Sequence, residues 1–117
     1  MIGTKASESS EQIKFVAWFR SEYPDIIIFA IPNGGKRDRR VAVKLKQEGV
    51  LPGVLDLFIP ALRLFIEFKF GSNRLTASQN KFMEAVSQHG YESEVVYSSL
   101  EAEGLIKNIF QDRLGRN

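Results

Sequence analysis

The chain has 117 residues, of which 44% are hydrophobic and 26% are charged, a composition typical of one globular domain over residues 1–117. With no cysteine and one histidine, it excludes disulfides, thiolate metal sites and multi-histidine zinc sites, so any metal ion must bind oxygen ligands. The net charge of +2 is weak evidence for an anionic partner. Because no apolar run approaches the ~20 residues of a membrane helix or resembles a secretory signal, we expect a cytoplasmic protein with no membrane partner.

The N-terminal half of the sequence predicts a helix, a strand and a second helix. Serines that can cap a helix precede apolar residues at helical spacing, which predicts a helix over residues 8–22, ended by Pro24. Residues 26–31 are continuously apolar and rich in β-branched side chains, so we expect a buried strand there. A glycine-containing loop then leads into a basic stretch, residues 36–48, which predicts a helix that ends at Gly49.

The C-terminal half predicts a hairpin followed by a helix, a strand and a helix. The predicted elements are strands at 54–59, 63–70 and 94–97 and helices at 76–89 and 98–114. Along the chain, the order is α, β, α, β, β, α, β, α. That order is typical of an α/β fold in which helices flank a small mixed sheet.

Charged residues interrupt the two apolar strands of this predicted hairpin. If Ala61 and Leu62 form the turn, Asp56 lies directly opposite Glu67, and Lys69 follows on the same face of the second strand. A three-residue turn would shift this pairing by one residue. The other face would then carry Leu64, Ile66, Phe68 and Phe70. Two opposed carboxylates destabilise a hairpin unless something neutralises them, and they form a natural oxygen site for Mg²⁺. The alternative is a surface ion pair of Glu67 with Lys69 beside an unrelated aspartate, but charges inside apolar strands favour a function.

Two further polar residues have both a structural and a functional interpretation. Gln79 falls on the apolar stripe of its helix, where a polar side chain needs a partner, but it also completes a capping box with Thr76. Glu11, near the start of the first helix, could reach the metal ion or could simply favour the positive end of that helix. The spacing alone leaves the case of Gln79 open, and for Glu11 the local evidence favours the structural role.

A glycine-rich loop entering the basic helix is the candidate DNA-binding segment. Glycines allow backbone amides to approach phosphates, and the following lysines and arginines add positive charge. An ordinary strand-to-helix turn is the alternative, and the nucleotide-binding P-loop pattern is absent. The candidate residues are Asn33, Gly34, Gly35, Lys36, Arg37, Arg39, Arg40 and Lys44.

In their order along the chain, four motifs resemble the virus-type replication-repair nuclease domain, VRR-NUC, a branch of the PD-(D/E)xK nuclease superfamily. They are residues 32–37, 49–57, 65–69 and Gln79 after Leu75 and Thr76. The resemblance covers most of the chain and implies the restriction-endonuclease-like PD-(D/E)xK core. Leu55 departs from the family pattern, which often has proline before the aspartate; because that proline does no chemistry, the departure casts little doubt on activity.

The resemblance also implies roles for the site residues. Asp56 and Glu67 would be metal ligands with the carbonyl of Phe68 and the Glu11 carboxylate, Lys69 the catalytic lysine, and Gln79 a further catalytic-site residue. The implied cofactor is Mg²⁺ or Mn²⁺, and the implied reaction is phosphodiester hydrolysis in branched DNA. Short stand-alone members resemble phage proteins that act as homodimers on four-way, or Holliday, junctions.

The sequence therefore predicts a metal-dependent, structure-specific DNA endonuclease. One rival interpretation is a catalytically silent DNA-binding module of the same fold. Another is a nuclease that acts on flaps or on specific duplex sequences. An unrelated hydrolase with an acidic site is a more distant alternative, because it leaves the basic helix unexplained.

Overall fold

The computed structural model describes residues 7–32 and 38–115. The described chain contains four helices, four strands and a short 3-10 turn. In chain order these are α1 (Glu8–Glu22), β1 (Phe29–Ala30), α2 (Arg39–Gln47), β2 (Leu57–Ile59), the 3-10 turn (Pro60–Leu62), β3 (Leu64–Phe68), α3 (Ala77–Ser87), β4 (Glu92–Val96) and α4 (Ser99–Gly115). The α, β, α, β, β, α, β, α order predicted from the sequence is confirmed.

The strands form one mixed sheet in the order β1-β2-β3-β4. β1 pairs with β2 and β2 with β3 in antiparallel orientation, whereas β3 and β4 are parallel. The parallel pair is joined by α3, as a parallel connection requires a crossover element. The predicted small mixed sheet flanked by helices is therefore confirmed, with β3 as a central strand.

Helices cover both faces of β3, which explains why its charged residues are buried. On one face, Phe68 packs against Phe15 of α1, with ring centroids 5.9 Å apart. On the other, Phe65 meets Phe82 of α3 edge-on, at a centroid distance of 5.0 Å. Alternation along the strand places Glu67 on the opposite face from Ile66 and Phe68. Because that face is also covered, Glu67 is buried as well.

The predicted buried strand at 26–31 is wrong in length and burial. Only Phe29 and Ala30 pair with β2, and both are exposed. Ile27 is 67% exposed, whereas Ile28 alone of this run is fully in the core. The reason is position: β1 lies at the edge of the sheet, so among the described residues it has a strand neighbour on one side only.

The second predicted hairpin strand, at 63–70, is longer than the strand that forms. β3 ends at Phe68, and Phe70, expected on the core face, is exposed. The chain turns away at Gly71, where φ is +61°, a conformation that glycine adopts without strain.

The basic helix is shorter than its predicted range of 36–48. α2 begins after Asp38, whose side chain accepts a hydrogen bond from the Arg40 amide, and ends at Gln47. The remaining part of that prediction, with the loop at 33–37, lies outside the described residues. Within residues 7–32 and 38–115, no helix is long and apolar enough to cross a membrane.

Candidate active site

The turn between β2 and β3 sets the register that brings Asp56 and Glu67 together. The 3-10 turn is followed by Arg63 in the left-handed conformation, and Ile59 then pairs with Leu64 and Leu57 with Ile66. The next position along this register pairs Asp56 with Glu67, as predicted, although Asp56 lies just before β2. Two hydrogen bonds lock the carboxylates to the hairpin backbone: the Asp56 amide donates to Glu67 Oε1 at 3.1 Å, and the Phe68 amide donates to Asp56 Oδ2 at 2.9 Å.

Lys69 and Gln79 both contact the second oxygen of Glu67. Lys69 Nζ lies 3.2 Å from Glu67 Oε2, and Gln79 Nε2 donates to the same oxygen at 2.8 Å. Glu67 and Lys69 are only 4% and 8% exposed, so this ion pair is held in place by the fold. The structure thus brings Asp56, Glu67, Lys69 and Gln79 into one hydrogen-bonded group.

Both interpretations of Gln79 hold at once. Its backbone amide donates to the Thr76 hydroxyl oxygen at 3.1 Å, and its Oε1 accepts a hydrogen bond from the Thr76 amide at 2.9 Å. The capping box fixes the side-chain rotamer of Gln79, which leaves its amide nitrogen directed at Glu67. The cap at the start of α3 therefore also orients a residue of the site.

Gly53 allows the segment before Asp56 to approach the start of α3. Its φ is +91°, and a Cβ atom at this position would lie 2.3 Å from the Ser78 carbonyl oxygen. No side chain fits there without moving backbone, so glycine sets the distance between the strand that carries Asp56 and the helix that carries Gln79.

Loss of solvent raises the pKa of the Asp56 and Glu67 carboxyl groups. For Asp56, loss of solvent raises the pKa, and hydrogen bonds from the Phe68 amide and from Glu67 lower it in part. For Glu67, burial is again the main cause, and the nearby Asp56 charge raises the pKa further, whereas Lys69 lowers it. Two carboxylates that repel each other in a dehydrated place favour a positive ligand between them.

The predicted first-helix acid, Glu11, makes its contacts elsewhere. Its Oε1 accepts the Ser99 amide at the start of α4 at 2.9 Å, and its Oε2 accepts Lys14 Nζ at 3.1 Å. The Ser99 amide is the main reason that the pKa of Glu11 is lowered. Glu11 therefore ties α1 to α4 through both of its carboxylate oxygens.

Glu8 is the acidic residue of α1 whose charge acts on Asp56, and it was not identified from the sequence. It is close enough to Asp56 to raise the pKa of that carboxyl, and its Oε2 accepts the Asn73 side-chain amide at 2.9 Å. Glu8 and Glu11 are both acidic residues of the first turn of α1, so a stricter reading of that turn would have kept both as candidates.

The donor atoms of the centre fit a hard divalent cation. Mg²⁺ typically takes one or two carboxylates and completes its shell with water and phosphate oxygens, which Asp56 and Glu67 can satisfy. Across residues 7–32 and 38–115, no three or more His, Cys, Asp or Glu side chains converge to hold a metal ion. The Phe68 carbonyl is the backbone ligand expected from the sequence. Phe68 lies next to the carboxylates, because its own amide donates to Asp56.

The predicted DNA-binding residues of α2 lie on an exposed helix. Arg39, Arg40 and Lys44 are all exposed and, with Val43 and Gln47, line a shallow groove along one side of α2. The other predicted residues, Asn33, Gly34, Gly35, Lys36 and Arg37, lie outside the described chain. α2 has no buried residue, so little of the core fixes its position.

Comparison with known proteins supports the fold and identifies the family. A solved structure described as a VRR_NUC domain protein superposes with a TM-score of 0.72 over 91% of this chain and 89% of that one, at 23% identity. No curated protein matches the sequence. The family model described as the VRR-NUC domain matches residues 6–100. With a nuclease-type fold and this match over most of its length, the chain belongs to the VRR-NUC family.

Proposed function

We propose that this protein is a metal-dependent endonuclease that hydrolyses phosphodiester bonds in branched DNA, with four-way junctions as its preferred substrate and a homodimer as its active form. The observation that carries the proposal is the hydrogen-bonded group formed by Asp56, Glu67, Lys69 and Gln79 on a nuclease-type fold, in which Glu67 and Lys69 are buried and the other two are half-buried. A surface ion pair needs neither burial nor a four-residue network, and two carboxylates that repel each other away from solvent cost stability unless a positive ligand binds between them.

Asp56 and Glu67 would hold Mg²⁺ or Mn²⁺, with the Phe68 carbonyl as a further ligand. A divalent ion bound there supplies a Lewis acid for the scissile phosphate and lowers the pKa of a bound water. The backbone amides of Asp56 and Phe68 keep both carboxylates in place before any ion or substrate arrives. This preorganisation avoids an ordering cost at the moment of reaction.

Lys69 would position the attacking water and balance charge on the phosphate. Its ammonium group is held by Glu67 Oε2, while its backbone amide donates to the Val96 carbonyl at 2.9 Å. Anchored at both ends, the Lys69 side chain is held beside the Glu67 carboxylate. Gln79 supports this arrangement, because its side-chain amide donates to the same oxygen of Glu67.

DNA would be bound through phosphates by Arg39, Arg40 and Lys44 of α2 together with the loop at residues 33–37. Phosphate contacts fix the position of a protein on DNA but carry no sequence information. Recognition of DNA shape therefore fits these residues better than recognition of base sequence. With one active site per chain, paired cuts on two strands call for two copies, which favours a homodimer.

The proposal is tested with labelled four-way junction, flap, single-stranded and linear duplex DNA, each with Mg²⁺, Mn²⁺ or EDTA. We expect metal-dependent cleavage, fastest on the junction, that falls on the order of 10³-fold in Glu67→Gln and Lys69→Ala. Lys107→Ala removes an exposed lysine of α4 and serves as the matched control for lost charge. Wild-type protein that binds these DNAs but cuts none with either metal would establish the silent binding module instead.

A matched pair of α1 variants separates the two candidate acids of the first helix. Because Glu8 acts on Asp56, Glu8→Gln should raise the Mg²⁺ concentration needed for half-maximal cleavage. Glu11→Gln weakens the contacts with Ser99 and Lys14, so it should lower thermal stability and leave the Mg²⁺ requirement unchanged. The reverse pattern would return the metal-ligand role to Glu11, as the family resemblance predicts.

A further inference from the structure

An open cleft lies beside the proposed active site and has no role in the chemistry described so far. It is lined by the loop at residues 71–75 and by Asn80, Val95 and Tyr97. Its volume is about 550 Å³. The loop connects Lys69, directly after β3, with Gln79 on α3, so the same segment that joins two site residues forms the wall of the cleft.

The parallel pairing of β3 and β4 places Tyr97 next to Lys69. Glu67 pairs with Val95 and Phe68 with Val96, and the Lys69 amide completes this last pair by donating to the Val96 carbonyl at 2.9 Å. Lys69 and Tyr97 directly follow the two residues of that pair, so they leave the ends of β3 and β4 side by side. Paired residues of a sheet share a face, and Val95, the partner of Glu67, lines the cleft together with Tyr97, so the cleft opens on the side of the sheet that carries Glu67.

Tyr97 differs from the other tyrosines of the chain. Tyr23 stacks on Phe110, and Tyr91 packs near Phe58 and Phe65 beneath the Arg63 guanidinium. Tyr97 is 45% exposed and makes no ring contact with any described residue. An aromatic ring without a packing partner, beside a catalytic lysine, is suited to stack on a nucleic-acid base.

Arg74 supplies the positive charge of the cleft. It is exposed, and within the described parts of the chain it forms neither a hydrogen bond nor an ion pair. Its neighbour Asn73 is bonded to Glu8, which holds the loop against the start of α1. Guanidinium groups bind phosphate through two parallel hydrogen bonds, so a free arginine on an anchored loop fits a phosphate contact.

We propose that this cleft binds the nucleotide next to the scissile phosphate, with Tyr97 stacked on its base and Arg74 bound to its phosphate. This inference rests on the proposed nuclease function and adds the subsite that would recognise branched DNA. A base inside a duplex is already stacked on its neighbours, so it must leave the helix to reach Tyr97, at a cost in free energy. The cleft therefore selects DNA in which the base beside the cut is unpaired or poorly stacked, as at a branch point.

The test maps the cut in a four-way junction and then replaces each flanking nucleotide, in turn, by an abasic residue. At one position, wild-type KM should rise by roughly 5- to 150-fold, the loss expected for one base–aromatic stack, with little change in kcat. Tyr97→Ala should raise KM on intact DNA by a similar factor and show no further loss on the abasic junction. Tyr97→Phe keeps the ring and should behave as wild type, which separates stacking from a folding defect.

Arg74 is tested through the salt dependence of KM. Arg74→Ala should weaken binding and reduce the slope of log KM against log salt by about one phosphate contact, whereas Lys107→Ala should leave the slope unchanged. The inference is overturned if abasic junctions keep the wild-type KM at every flanking position, or if the abasic and Tyr97→Ala effects multiply. If the protein cuts no DNA, the proposed function fails. In that case the affinity of the protein for intact and for abasic junctions is measured without metal. Equal affinities would reject the proposal that the cleft binds a base.

Discussion

The catalytic hairpin and the basic helix α2 are built in opposite ways. The β2–β3 hairpin is covered on both faces, and its charged groups are held by backbone amides and by Gln79. α2 carries the predicted phosphate contacts on a helix with no buried residue. The comparison shows that the fold fixes the proposed reacting groups by hydrogen bonds, whereas it leaves the proposed binding residues exposed on a helix outside the core.

Truncation of an apolar side chain should destabilise the protein far more in the β2–β3 hairpin than in α2, and this is the largest difference expected between the two regions. Ile66 is fully buried in β3, so Ile66→Ala should lower the free energy of unfolding by about 2–5 kcal/mol. Val43 of α2 is half exposed, and Val43→Ala should change the same quantity by no more than about 0.5 kcal/mol. Urea denaturation of both variants measures the difference. A large loss in Val43→Ala would mean that α2 is part of the folding core.

Gly53 tests how tightly the hairpin is fitted to α3. Because its φ is positive and a Cβ would meet the Ser78 backbone, Gly53→Ala should destabilise the protein by more than about 1 kcal/mol. Cleavage should fall more than stability alone explains, since Gln79 would be displaced from Glu67. Gly49 also has a positive φ but has open space around it, which makes Gly49→Ala the matched control for backbone strain. Equal effects of the two variants would show that strain alone matters.

The carboxylate pair should make stability depend on pH in a definite direction. The pKa values of Asp56 and Glu67 are raised above the ordinary 3.8 and 4.5, so the folded state binds protons more strongly than the unfolded chain. This contribution is fully present below those ordinary values and is lost as pH rises through the raised ones. Without metal, the free energy of unfolding of the wild type should therefore fall relative to that of Glu67→Gln as pH rises through the raised pKa values. Denaturation in EDTA at a series of pH values measures it, and parallel curves for the two proteins would contradict the prediction.

Charge removal on α2 should have the smallest effect on the fold. Arg40→Ala and Lys44→Ala should each weaken junction binding and reduce its salt slope by about one, with melting temperature and kcat close to wild type. Binding measured at several salt concentrations tests this. A loss of kcat without a change in slope would place these residues in the catalytic step and remove the contrast between the two regions.

The sequence by itself determined the order of elements and the hairpin register. Apolar alternation with a turn at Ala61 and Leu62 predicted that Asp56 lies opposite Glu67, and the observed register agrees; side chains alternate strictly along a strand, so a slip of one residue would expose the core face. The motif order also led to the correct family. Helix α1 has the bounds predicted from its caps and spacing, since local signals define helix ends.

Tertiary structure decided what no local pattern contains. Residues 26–31 read as a buried strand, but β1 lies at the sheet edge, and burial depends on what covers a strand. Glu8 and Glu11 share one helical turn; only the packing of α1 against the loop at residues 71–75 and against α4 separates their contacts. Tyr97 reaches the side of Lys69 through the parallel pairing of β3 with β4. Distances between residues far apart in the chain are fixed by packing, which is why the sequence proposed the site and the fold assembled it.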